Sequence, residues 1–185
     1  VATEDLASAA LVTDIIAFSG IADFSMTQLQ KVLVGKNVSI GPSISGYREE
    51  MNGSSTVKDF ETLLQLNYLY FTAPRKDEKA FQSLNEILKT QLANRSKNPK
   101  AIFGDSVAMI QNNYSPRTLI FDTKALEMVS LDKALEIYKQ RFANPADFTF
   151  TFVGNIDPND EQTKAVICKW IGGLKTKSKR ETIKD

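Results

Sequence analysis

From Asp77 to Asn94 the apolar residues Ala80, Phe81, Leu84, Ile87, Leu88 and Leu92 fall three and four positions apart. They form one stripe along an α-helix and leave its other face polar. Such a helix gains most of its stability by laying that stripe on a second layer. The same period recurs along the chain, while Asn37 to Ile44 and Phe148 to Val153 alternate every second residue, as strands do. One-sided helices interleaved with strands that expose polar residues on one side predict an α+β fold. The expected arrangement is a two-layer domain with helices on one face of a mainly antiparallel sheet. An all-helical bundle and a doubly wound parallel sheet both conflict with this order.

Local chemistry sets the boundaries. Residues 5–19 carry Leu6, Ala9, Ala10, Thr13 and Ala17 in one stripe, with Leu11, Ile15, Ile16 and Phe18 beside it, and Gly20 stops the helix. Ser25 and Gln28 have capping-box spacing and open a helix that buries Leu29, Val32 and Leu33. Pro42 places the strand Asn37 to Ile44 at an edge or bulge, and Tyr47 to Met51 is its expected partner, ending at the turn dipeptide Asn52-Gly53. Thr56 and Asp59 open a helix over Phe60, Leu63, Leu64, Leu66 and Phe71, which Pro74 closes.

Further along, a short helix is expected over Ile102 to Gln111, then a loop from Asn112 to Thr118. Ser130 caps a helix carrying Ala134, Ile137, Tyr138, Arg141 and Phe142. Phe148, Phe150 and Phe152, alternating with Thr149, Thr151 and Val153, give the clearest strand signal of all. A last helix runs from about Asn159 to Ile171, and Gly172-Gly173 ends the compact part. Residues 175–185 mix five basic residues with Glu181 and Asp185 and hold no aromatic, so they read as a solvated linker or tail rather than a nucleic-acid patch.

The 185 residues contain no histidine. That closes Ser-His-Asp and Cys-His nucleophile systems and all histidine-ligated metal sites, leaving carboxylate, lysine or no chemistry. Cys168 is the single cysteine, so neither an internal disulfide nor a thiolate zinc site is possible, and it is expected to pack as a small apolar residue on a helix. With 23 basic against 22 acidic residues no global field favours nucleic acid or an anionic membrane. No run of eighteen apolar residues exists, so membrane insertion is not expected. The length suits one domain, and the 42% hydrophobic share suits a sizeable core.

Asp14 stands among Leu11, Val12, Ile15 and Ile16, either facing solvent at the helix edge or marking a place where chemistry once needed a carboxylate. Glu49 and Glu50 are adjacent in a strand and point to opposite faces, so they cannot flank one bond. Gly35, Gly41 and Gly46 do not follow a strand and open a helix, so they cradle no phosphate. A Ser-Lys dyad stays open as a minor alternative.

The segment Leu11-Val12-Thr13-Asp14-Ile15-Ile16-Ala17-Phe18-Ser19-Gly20 resembles the inverted zinc-motif helix of the pitrilysin and insulinase metallopeptidases, in which H-x-x-E-H precedes an apolar pair, Phe and Gly. Phe81 to Leu92 resembles the helix that brings the third ligand, a glutamate. Ser130 to Phe142 followed by Phe148 to Asp157 resembles the closing helix and strand. The likeness covers about 5 to 174 and is nearest to the non-catalytic third domain of the large four-domain bacterial members. It implies a fold like that of the mitochondrial processing peptidases.

In this register the two histidine ligands fall on Leu11 and Ile15, the general-base glutamate on Asp14, and the glutamate ligand at or near Leu84. Leucine and isoleucine offer a metal nothing, so the resemblance implies an inactive domain at 5–174 with a linker or tail at 175–185. No cofactor is expected in this chain, and zinc is expected in a catalytic domain elsewhere in the parent. The implied partners are the other peptidase domains of that parent and a peptide enclosed between halves, in a periplasm or cell envelope. The chain reads as an excised domain whose first strands lie before Val1, with Leu11, Ile15 and Leu84 side by side. The alternatives are a free-standing peptide-binding or assembly module and, more remotely, an independent carboxylate or Ser-Lys enzyme.

Overall fold

The computed structural model describes residues 1–46 and 48–176, divided into two compact units. Residues 1–19 and 76–138 form the first unit, and 20–75 with 139 onward form the second. The tail expected at 175–185 lies outside the described residues from 177 on, as does Tyr47.

The first unit is helical: α1 (Leu6–Ala10), α2 (Val12–Ser19), α5 (Glu78–Arg95), α6 (Pro99–Gln111), α7 (Thr123–Glu127) and most of α8 (Leu131–Arg141). The single helix expected over 5–19 is broken at Leu11, whose φ of −104° and ψ of 4° leave the helical region before α2 resumes. Leu11 N–H bonds Ser8 O at 3.3 Å, a tightened last turn of the kind common at helix ends. Side-chain caps set the other starts: Asp77 accepts from Ala80 N–H at 3.0 Å, Asn98 from Lys100 at 3.0 Å and Asp122 from Ala125 at 2.8 Å. Asn98 and Pro99 start α6 earlier than the expected Ile102, because proline suits a first helical position. The α7 turn sits where no helix is expected.

Val12, Ile15, Ile16, Leu84, Leu126, Ala134 and Tyr138 make the apolar core of this unit. Ser130 N–H donates to Ser8 Oγ at 3.0 Å, tying α1 to the start of α8. Burying such side chains contributes about 1.5–3 kcal/mol each for the larger aliphatic ones.

The second unit holds α3 (Met26–Val32), β1 (Val38–Ile44), β2 (Glu49–Ser55), α4 (Phe60–Thr72) and α9 (Glu161–Trp170). Gly20, with φ +83°, ends the preceding helix, and a Cβ there would overlap the Phe24 carbonyl. The Ser25–Gln28 capping box is present, with bonds of 2.9 and 3.3 Å. Its helix buries less than expected, since Leu29 and Leu33 are only half-buried and Val32 is exposed.

β1 and β2 form an antiparallel ribbon pairing Val38 with Ser55 and Ile44 with Glu49. The turn falls at Ser45–Arg48, where Ser45 N–H donates to Arg48 O at 2.9 Å and Arg48 N–H to Ser45 Oγ at 3.2 Å. Asn52-Gly53, expected to be the turn, therefore lies inside β2. α4 packs onto the ribbon there, and a Cβ on Gly53 would sit 2.7 Å from Leu63 Cδ1, so the leucine side chain would have to shift. Asp59 fastens the same junction: buried, it accepts from Asn37 N–H at 2.9 Å and Thr56 Oγ at 2.8 Å. Those bonds hold its carboxyl below the usual range.

The α+β expectation stands, with the ordered sheet reduced to two strands among the described residues. Phe148 to Val153, the strongest strand signal, pairs with nothing described there. Its backbone starts extended, at φ −98° and ψ 148° for Phe148, but a strand is defined by its ladder, and β-propensity cannot supply a neighbour. Phe148 and Phe150 instead pack on Phe71 of α4, with ring centroids 5.0 and 6.0 Å apart. α9 also packs on α4, where Trp170 Nε1 donates to Glu61 Oε1 at 3.0 Å. Cys168, expected to be packed away, is exposed on α9.

Candidate functional site

Leu11 sits at the junction of α1 and α2, Asp14 and Ile15 on α2, and Leu84 in the first half of α5. All four belong to the first unit, and α2 packs against α5. Leu11, Ile15 and Leu84 are 6%, 1% and 5% exposed, and Leu84 is the one fully buried residue of α5. Asp14 is exposed, on the solvent side of a helix whose Val12, Ile15 and Ile16 point inward. Three hydrocarbon side chains carry no lone pair, and one exposed carboxylate cannot complete a ligand set. These residues do not fit zinc. Among the described residues no group of three or more cysteine, aspartate or glutamate side chains is placed to hold a metal ion.

The charged groups of this unit pair with one another at its surface. Arg95 grips Asp105 through both guanidinium nitrogens at 2.7 and 2.5 Å, which holds the Asp105 carboxyl below its usual range. Lys76 bonds Asp132 at 2.7 Å, which raises the lysine. Glu49 and Glu50 belong to the second unit, where they turn to different partners: Arg141 at 3.3 Å and Arg48 at 3.0 Å. They form no acid/base couple.

A further feature lies in the second unit. A cavity of about 600 Å³ is lined by Glu49–Gly53 of β2, by 147–152, and by Leu63, Leu64 and Asn67 of α4. Asn67 is 5% exposed, and its Nδ2 has no hydrogen-bond partner. The signal was present in the sequence, since Asn67 interrupts the apolar face of Leu64, Leu66 and Tyr70.

The fold just described matches one segment of much larger proteins. The structure superposes on the periplasmic protease PqqL from Escherichia coli with a TM-score of 0.76 and 21% identity, covering 98% of this chain and 19% of PqqL. A mutant ferredoxin protease FusC, in complex with Arabidopsis ferredoxin, matches with a TM-score of 0.74 and 15% identity over 96% of this chain and 19% of its own. In sequence, the chain is 23% identical over 167 residues to the probable zinc protease PqqL of Escherichia coli (strain K12), covering 90% of this chain and 18% of that protein. It is 24% identical over 163 residues to a PQQL-like zinc protease of Arabidopsis thaliana, covering 85% of this chain and 16% of that protein. No family model matches the sequence. The chain is thus homologous to a segment of PqqL and spans less than a fifth of the length of these relatives.

Proposed function

We propose that residues 5–174 are a non-catalytic structural and substrate-enclosing domain of a zinc metalloendopeptidase whose active site lies in another domain of the parent. The observation that carries this reading is the pair α2 and α5, packed on each other with Leu11, Ile15 and Leu84 buried where the resemblance calls for metal ligands. A site without metal and water is better filled by hydrocarbon, and these residues supply it.

The parent's partners follow from the same reading: its other peptidase domains, and a peptide enclosed between halves. Ile102, Phe103, Ile110 and Tyr114, on and just after α6, are each more than half exposed, which suits a face covered by a neighbouring domain. FusC was captured holding a protein, ferredoxin, which supports a polypeptide substrate for this fold. PqqL is periplasmic, and that supports the same compartment here. No helix among the described residues is long and apolar enough to cross a membrane.

Elemental analysis of the dialysed chain, with a chelator-controlled assay on an unstructured peptide, tests the proposal. No stoichiometric zinc and no cleavage are expected, with or without added zinc. One zinc per chain together with chelator-sensitive cleavage would falsify it.

A further inference from the structure

Asn52 is the one asparagine of the chain that glycine follows. In such a pair the Gly53 nitrogen can attack the side-chain amide carbon of Asn52, because glycine has no Cβ to block the approach. The N–Cγ bond forms, the Cγ–Nδ2 bond breaks and the Nδ2 group leaves as ammonia, which closes a five-membered succinimide. Water then opens that ring at either carbonyl and leaves aspartate or isoaspartate at position 52. The reaction needs water and no oxidant, metal or enzyme. Asn52 is exposed, and its Nδ2 donates to Glu50 Oε2 at 3.3 Å, a long bond that holds the amide loosely.

The backbone opposes this attack. Ring closure needs the Gly53 nitrogen on the same side of the Cα–C bond as Cβ, and the extended backbone of a strand, with ψ about +135°, turns it away. Pairing of Asn52 with Gly41 and of Gly53 with Ile40 fixes that extended form, and Leu63 of α4 lies beside Gly53. A two-stranded ribbon is marginal by itself, so its opening sets the rate. We propose that Asn52-Gly53 is a spontaneous deamidation site gated by the ribbon, closed while β2 is held by β1 and α4 and reactive whenever β2 leaves the ladder. The product acts back on the gate. Aspartate at position 52 sets a second carboxylate beside that of Glu50, whose Oε1 is already held by Arg48 at 3.0 Å, and like charges so close repel. Isoaspartate adds one carbon to the main chain and puts Gly53 to Ser55 out of step with Val38 to Ile40. Because ammonia is lost, each conversion leaves the ribbon permanently looser, a lasting record that it has opened.

Peptide mapping by mass spectrometry tests the site in the 1–185 chain, held in warm, mildly alkaline buffer with and without unfolding urea. Conversion at position 52 should outpace that at every other asparagine and run at least about tenfold faster in urea. Asp59→Asn weakens the acceptor of Asn37 N–H where the ribbon meets α4, so it should speed conversion in buffer and leave the urea rate unchanged. Asn52→Gln should stay unconverted under both conditions, since its longer side chain would have to close a six-membered ring. Asn52→Asp should lower the protection of the β1 and β2 amides against hydrogen exchange. Equal rates in buffer and urea, or a buffer rate that Asp59→Asn does not change, would overturn the gate. An Asn52 that stays intact in urea while other asparagines convert would overturn the site itself.

Discussion

The helix pair α2 and α5 and the ribbon beside α4 are packed in opposite ways. In the first unit, positions that the resemblance assigns to a metal hold Leu11, Ile15 and Leu84, and the space is closed with hydrocarbon. In the second, a cavity lined by β2, α4 and 147–152 stays open beside a cluster of phenylalanine rings. Truncating a buried side chain should therefore cost more in the first unit than truncating a half-buried ring in the second.

Truncating the hydrocarbon filling should have the largest effect. Leu84→Ala is expected to cost about 2–5 kcal/mol in urea unfolding, within the range for buried leucines. Combined with Ile15→Ala it should show a coupling of at least about 0.5 kcal/mol. Additive losses would mean that the two side chains do not touch and that the assigned register is wrong.

Phe71→Ala should cost about 2 kcal/mol, less than Leu84→Ala. Phe71 meets the rings of Phe142, Phe148 and Phe150, with centroids 5.7, 5.0 and 6.0 Å away, yet it is only half-buried beside them. A loss larger than that of Leu84→Ala would reverse the ranking of the two units.

A smaller, pH-dependent effect belongs to Asp59. Its carboxyl lies below the unfolded value because Asn37 N–H and Thr56 Oγ donate to it. Its stabilisation is therefore fully present above the unfolded pKa of about 3.9 and is lost as pH falls through the lower folded value. Asp59→Asn should lower the thermal midpoint at pH 7 and flatten its fall in acid. A variant with an unchanged acid profile would remove Asp59 from the junction of ribbon and helix.

The smallest expected change concerns Cys168. Exposed on α9, it should react with one equivalent of a thiol reagent in the folded state and leave the midpoint unchanged. Labelling only after unfolding would return it to the packed position expected from its neighbours in sequence.

The helices were legible because their signals are local. The capping box at Ser25 and Gln28, the Ser130 cap of α8 and the stripe around Leu84 need only residues three or four apart. Some local signals were passed over, as in the Asp122 cap of α7 and the Asn98-Pro99 start of α6, and the other misreadings are those where a distant neighbour decides. Asn52-Gly53 has the chemistry of a turn, but Ser45 and Arg48 close the hairpin, and Leu63 of α4 occupies the space a side chain at Gly53 would need. Phe148 to Val153 has the composition of a strand, but no composition provides a partner. Cys168 was misplaced because α9 turns it away from α4. The positions that the resemblance assigns to metal ligands could be named from the chain alone, since that register is local to two helices. The cavity could not, because its walls come from segments about 100 residues apart and meet only in the fold.

Gly53 also bears on the register of the ribbon. Asn-Gly is among the strongest short-range hairpin signals, so a young ribbon can bend there as readily as at Ser45–Arg48. Nothing within the two strands settles the choice, because both are rich in serine and glycine, and such strands specify register weakly. Leu63 against the bare Gly53 backbone ties the observed register to α4. The ribbon is thus held in place by a helix outside it as well as by its own Ser45–Arg48 bonds.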